Sequence, residues 1–178
     1  MNSASSRSAH IVLIGMMGVG KSTVGRRVAK ELSRPFVDSD DEVVARTGRA
    51  VTEIFATDGE AAFRDIEAEA MADLLASPVP SVIAAAGGSV LSSSTRDRLR
   101  ESGTVVWMRA PVDVLVGRTS RGTHRPALAN DPRATLTQME TDRVALYSEV
   151  ADITVDCTAP IAAVVGTIGR SVNEVDAQ

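Results

Sequence analysis

Gly15, Gly20, Lys21 and Ser22 hold the spacing G-x-x-x-x-G-K-[ST] in this 178-residue chain, the pattern of a loop that cradles the phosphates of a nucleoside triphosphate. The glycines let the backbone wrap the phosphates with N–H groups turned inward, so Gly18, Val19 and Gly20 are read as main-chain donors. Lys21 reaches the β and γ oxygens. The Ser22 hydroxyl is a magnesium ligand, and Thr23 follows it at the start of a helix whose N-terminus favours an anion. The plainer alternative is a glycine-rich turn that merely joins a strand to a helix.

Such a loop needs a strand before it and a helix after it. The apolar run from His10 to Ile14 predicts a first strand over about 10–15, and Val24, Val28 and Leu32 recur at i, i+4, i+8 in a helix over about 22–32 that stops at Arg34-Pro35. Residues 36–38 read as a second strand. A helix with acids in its first turn follows over about 40–46 and ends at Thr47-Gly48. Helical periodicity runs over 51–75, interrupted near Asp58-Gly59. Residues 81–85 read as a buried strand entering Gly87-Gly88, followed by a short helix over 95–101 and a strand over 104–108. Pro111 is placed at the first position of a helix to about Thr119. The segment from Ser120 to Pro132 contains Gly, Pro and Arg and is long enough for a lid. A helix over 133–149, a strand over 153–155 and a closing helix carrying Ile161, Val164, Val165 and Ile168 complete the chain.

This alternation predicts an α/β fold, a central parallel sheet of about five strands with helices on both faces. Ligands in such folds sit beyond the carboxyl ends of the strands. Three unusual loops each follow a predicted strand: the phosphate loop, Asp38-Ser39-Asp40, and Ala86-Gly87-Gly88. A phosphate cradle, two carboxylates and a bare backbone facing one crevice point to phosphoryl transfer to a small hydroxylated acceptor. Asp38 is assigned with Ser22 to magnesium, and Asp40 to the acceptor hydroxyl, which it orients for in-line attack. The alternative for Asp40 is an N-cap or first-turn acid.

A net charge of −4 and 3% aromatic residues leave neither a basic stripe nor stacking platforms, so nucleic acid is not expected as a partner. Hydrophobic residues make up 44% of the chain, enough to core one domain over 10–172 between a disordered tail at 1–9 and a C-terminal tail at 173–178. Met1 to Ser8 lacks the apolar core of a signal peptide, and no apolar run is long enough to span a bilayer, so a cytoplasmic protein away from the membrane is expected. The lone Cys157 excludes a disulfide framework or Cys-rich zinc site and reads as a small buried residue. Trp107 reads as core, and Met16 and Met17 as the lining of the nucleotide entrance.

From Ile11 to about Arg170 the chain resembles shikimate kinase. The resemblance is carried by Gly15 to Thr23, Asp38 to Asp40, Arg46 to Gly48, Ile54 to Glu60 with Phe63, Arg64 and Glu67, then Gly87-Gly88, Arg125-Pro126, and Arg143 shortly before Leu146-Tyr147. It implies a P-loop kinase fold with a mobile lid over about 119–132 and a substrate-binding part over about 38–67. It also implies a monomeric enzyme that transfers the γ-phosphate of ATP, with Mg2+, to the 3-hydroxyl of shikimate, giving shikimate 3-phosphate and ADP in aromatic amino acid biosynthesis. Lys21, Asp40 and Arg125 are then catalytic. Arg64 and Arg143 match arginines that grip the substrate carboxylate, which a planar guanidinium can do with two parallel bonds. Asp40 matches the acid that receives the ring hydroxyls, and Gly87 and Gly88 the turn that brings main-chain N–H groups to the substrate. Arg125 matches the lid arginine near the transferring phosphoryl group, and Arg118 the residue that packs on adenine. Ala86 replaces the first of three usual glycines. The loop from Asp156 to Pro160 is shorter than in many members and lacks their arginine.

The plainer readings are solvated charges for Arg118, Arg125 and Arg143, and for Arg64 an exposed pair with Glu60 worth about 0.3–0.5 kcal/mol. Glu67, one turn beyond Arg64, is placed to orient it. A kinase of another polyol or sugar acid shares the fold and loop. A non-catalytic nucleotide switch lacks its marks here, since neither N-K-x-D nor D-x-x-G occurs.

Overall fold

The computed structural model describes residues 10–120, 128 and 130–176. Among these residues five strands form one all-parallel sheet: β1 (His10–Ile14), β2 (Phe36–Asp38), β3 (Val82–Ala84), β4 (Gly103–Arg109) and β5 (Ile153–Asp156), in the order β2-β3-β1-β4-β5. Every residue of β1 is buried, as expected of a strand covered on both faces, and Val12 lies between Ile83 and Val105. The chain leaves central β1 for edge strand β2, returns to β3 and then crosses to β4. The strand order reverses at β1, and the crevice opens at its carboxyl end.

Among the described residues seven helices connect and cover the strands: α1 (Lys21–Glu31), α2 (Ser39–Thr47), α3 (Val51–Ala76), α4 (Ser93–Ser102), α5 (Val112–Thr119), α6 (Pro132–Val150) and α7 (Ile161–Asp176). α1 and α7 pack together on one face, while α3, α4 and α6 cover the other. The main core joins the strands to Val24, Val28, Leu99, Leu136, Tyr147, Val165 and Ile168, and a second small cluster of Val43, Ile54, Phe63 and Ala70 holds α2 against α3. Trp107 and Cys157 are buried as expected.

The differences from the sequence reading have local causes. α3 is two helical stretches joined at a kink: Gly59, at φ 85° and ψ 173°, leaves helical geometry where the interruption was expected. A short 3₁₀ turn, Ser89–Leu91, precedes α4, too short to leave a periodic signal. Pro111 is the cap of α5 and not its first residue. α7 runs to Asp176 with Val172 buried, so the tail expected from 173 is helical through 176. Met16 belongs to the core; of the methionine pair, Met17 lines the cleft.

Candidate active site

The loop after β1 takes the conformation its glycines allow. Gly15 has φ 142°, and a Cβ there would collide with the Met108 carbonyl oxygen at the end of neighbouring β4. Gly20, at φ 105° and ψ 20°, caps α1 without a side-chain acceptor, so the first N–H groups of α1 face the crevice free of a capping oxygen. Lys21 folds back over the loop, its Nζ donating to the carbonyls of Gly15 at 2.8 Å and Met16 at 3.2 Å. The ammonium is thereby held at the rim of the anion cradle.

Ser22 Oγ donates to Asp38 Oδ2 at 2.6 Å, and Asp38 Oδ1 accepts the Asp40 N–H at 3.1 Å. Asp38 is therefore the N-cap of α2, the role weighed for Asp40. Asp40 is left with its carboxylate toward the crevice. It is open to solvent on one side and crowded by protein on the other. That crowding, followed by the charge of Asp38, raises its carboxyl above the ordinary range, while Lys21 and Arg64 oppose the rise. Ser22 and Asp38 together offer hard oxygen donors at the foot of the cradle, as magnesium prefers when phosphates supply further ligands. Among the described residues no cluster of three acidic, His or Cys side chains could hold a metal alone.

Arg64 on α3 is fixed by two acids of its own helix, Glu67 at 2.8 Å and Glu60 at 3.2 Å. Both pairings expected from sequence thus occur together. Glu67 is buried, which raises its carboxyl against the opposing pull of Arg64, and its Oε1 has no hydrogen-bond partner among the described residues. Arg143 on α6 is buried, not the surface charge offered as an alternative. Both arginines converge on the turn after β3: a Cβ on Gly88 would fall against the Arg64 guanidinium, 2.6 Å from Cζ, and one on Gly87 would stand 3.6 Å from Arg143 Nη1.

Ala86 fits because its φ is not positive and its N–H donates to Ser39 Oγ at 2.9 Å. Ser39, quoted from the sequence only as the residue between the two acids, thereby ties the turn after β3 to α2. Arg118, at the end of α5, donates to the carbonyls of Val19 at 3.2 Å and Cys157 at 2.7 Å, bridging the phosphate loop and the segment after β5. It is not a solvated loop charge. Arg125 and most of the expected lid lie outside the described residues.

These groups border one cleft of about 640 Å³, lined by Gly18, Val19, Gly20, Lys21, Ser22, Thr23, Asp38, Asp40, Ala86, Gly87 and Arg118. Arg64 and Arg143 do not line it themselves; they sit behind its glycine turn, Arg143 beside the lining residue Gly87 and Arg64 beside Gly88. A parallel sheet with a phosphate loop on its central strand and an acid beside it defines a nucleoside triphosphate-dependent small-molecule kinase.

The comparisons narrow the class. The family model for shikimate kinase matches residues 17–172. A shikimate kinase of Bordetella pertussis is 46% identical over 160 residues, which are 89% of this chain and 75% of that protein. The shikimate kinase of Acinetobacter baumannii, solved in complex with shikimate, superposes with a TM-score of 0.90 at 32% identity, covering 99% of this chain and 100% of that one. The Aquifex aeolicus shikimate kinase gives 0.81 at 35% identity over 92% and 96%. The chain belongs to the shikimate kinase family.

Proposed function

We propose that this chain transfers the γ-phosphoryl group of ATP to the 3-hydroxyl of shikimate. The observation that carries this reading is the meeting, at one turn, of two buried or acid-braced guanidinium groups with the end of the phosphate cleft: Arg64 and Arg143 flank Gly88 and Gly87 while Asp40 and Lys21 stand in the cleft itself. An anionic ring needs cationic anchors on one side and a hydroxyl-facing acid on the other.

Arg64 and Arg143 hold the acceptor carboxylate by paired N–H donors. Asp40 accepts a hydrogen bond from the 3-hydroxyl and takes its proton as the oxygen bonds to the γ-phosphorus. The bond from that phosphorus to the bridging oxygen breaks, and its electrons leave with ADP. A carboxyl raised above its usual range is a better proton acceptor near neutral pH. Lys21 exchanges the Gly15 and Met16 carbonyls for phosphate oxygens, and the amides of residues 18–23 hold the remaining charge. Ser22 and Asp38 would hold Mg2+, which when bound offsets charge on the phosphates. In this reading Arg118, held at the cleft by the Val19 and Cys157 carbonyls, packs on the base, and Arg125 offsets charge on the transferring group. No helix among the described residues is long and apolar enough to cross a membrane, consistent with small dissolved substrates.

The test is an acceptor screen with coupled ADP detection, offering shikimate, gluconate and glucuronate, with the product's phosphate position read by NMR. The reading expects shikimate-dependent ADP release and phosphate on the 3-oxygen. Turnover of a sugar acid in place of shikimate would overturn it.

A further inference from the structure

Gly88 lies at φ −93° and ψ −8°, a conformation open to any residue, and Gly87 has no positive φ. Backbone geometry does not demand glycine here; space does. A Cβ on Gly88 would land on the Arg64 guanidinium, and one on Gly87 would stand 3.2 Å from the Gly15 carbonyl and 3.6 Å from Arg143 Nη1. The turn is a spacer between two cations and the phosphate loop, so its position decides how far each guanidinium advances.

Besides the Leu91 N–H that donates to the Gly88 carbonyl at 2.9 Å inside the 3₁₀ turn, three hydrogen bonds among the described residues hold that spacer. Ala86 N–H donates to Ser39 Oγ at 2.9 Å, Ser89 N–H to the Ala86 carbonyl at 3.0 Å, and Tyr147 OH to the Gly87 carbonyl at 2.6 Å. The last comes from α6, one helical turn beyond Arg143. Tyr147 is 1% exposed. Burial pushes its hydroxyl up to about 12, against the opposing charge of Arg143, so it remains a donor throughout the neutral range. Its ring also packs beside Trp107, at 5.7 Å between centroids, which a phenylalanine would preserve.

We infer that Tyr147 is a positioning residue for the acceptor site: by gripping the Gly87 carbonyl it fixes the glycine spacer against which the guanidinium groups of Arg64 and Arg143 are seated. This rests on reading those arginines as the carboxylate anchors. Loosening the grip weakens acceptor binding while leaving the nucleotide cradle, on the other side of the turn, in place.

The experiment is steady-state kinetics of wild type, Tyr147→Phe and Gly88→Ala, with shikimate and ATP-Mg2+ varied separately and melting temperatures measured alongside. Tyr147→Phe is expected to raise KM for shikimate about tenfold, with KM for ATP within about twofold and kcat less affected. Gly88→Ala is expected to raise it at least as far, since displacing a binding group by about an ångström can cost on the order of a hundredfold. It carries the same test should Tyr147→Phe fail to fold. An unchanged shikimate KM in either folded variant, or equal increases in both KM values, overturns the inference while the acceptor reading stands. A wild type that phosphorylates no shikimate overturns the acceptor reading and this inference with it.

Discussion

Asp40→Asn separates catalysis from stability more cleanly than any other substitution in the cleft. The amide keeps the shape of the carboxylate and can still orient a hydroxyl, but it cannot take a proton, so kcat should fall by about 10²–10⁴-fold, roughly 3–5 kcal/mol of barrier. Stability should respond differently. The fold already disfavours the charged form of Asp40, first through burial and then through the charge of Asp38. Removing the charge relieves that penalty. Against it stands the loss of an acid in the first turn of α2, worth about 0.3–1 kcal/mol. The two effects oppose, so the melting temperature should stay within about 3 °C of wild type. The assay pairs coupled ADP release under saturating shikimate and ATP with a thermal melt. A variant whose kcat stays within threefold of wild type, with the melt unchanged, would refute the assignment of Asp40 as proton acceptor.

Activity should also fall on the acid side as Asp40 takes up its proton, with the limb of kcat/KM displaced upward from the ordinary aspartate value of 3.8 and absent from the Asn variant's profile. Arg125→Ala should cut turnover at least about a hundredfold; unchanged turnover in single-turnover mixing would exclude the residue from the transition state. Gly15→Ala combines a φ of 142° with a collision against the Met108 carbonyl, so it should destabilise the fold by roughly 3 kcal/mol, about 10 °C in a melt. His10 is buried with Nδ1 accepting the Ser81 N–H at 3.1 Å and Nε2 donating to the Ser77 carbonyl at 3.0 Å. Burial lowers its pKa from 6.5 in the folded chain. Its stabilising share is present above 6.5 and lost as pH falls from there through the lower folded value, because the unfolded chain then binds the proton first. Denaturant midpoints of His10→Gln should lack that component of the acid-side decline.

The phosphate loop was legible because its chemistry fixes residue types at fixed spacing, and the parallel sheet because His10 to Ile14 and Thr104 to Met108 are apolar runs bounded by turns. Asp38 and Asp40 could be placed in the cleft, but not sorted as to which caps α2: both acids neighbour the helix start, and only the backbone path shows that Asp38 receives the Asp40 N–H. Ser39 and Tyr147 stand in the quoted motifs without a role of their own, since each reads as ordinary filling until the partner carbonyl or N–H from a distant segment is seen. Arg143 was ambiguous for the same reason. Its burial depends on the turn after β3, far away along the chain.

The most direct test is a crystal structure with shikimate and a non-hydrolysable ATP analogue bound together. The triphosphate should lie on the amides of residues 18–23, the ring carboxylate against Arg64 and Arg143, and the 3-hydroxyl toward Asp40. A ring bound away from both arginines, or with its carboxylate turned to the nucleotide, would contradict the account.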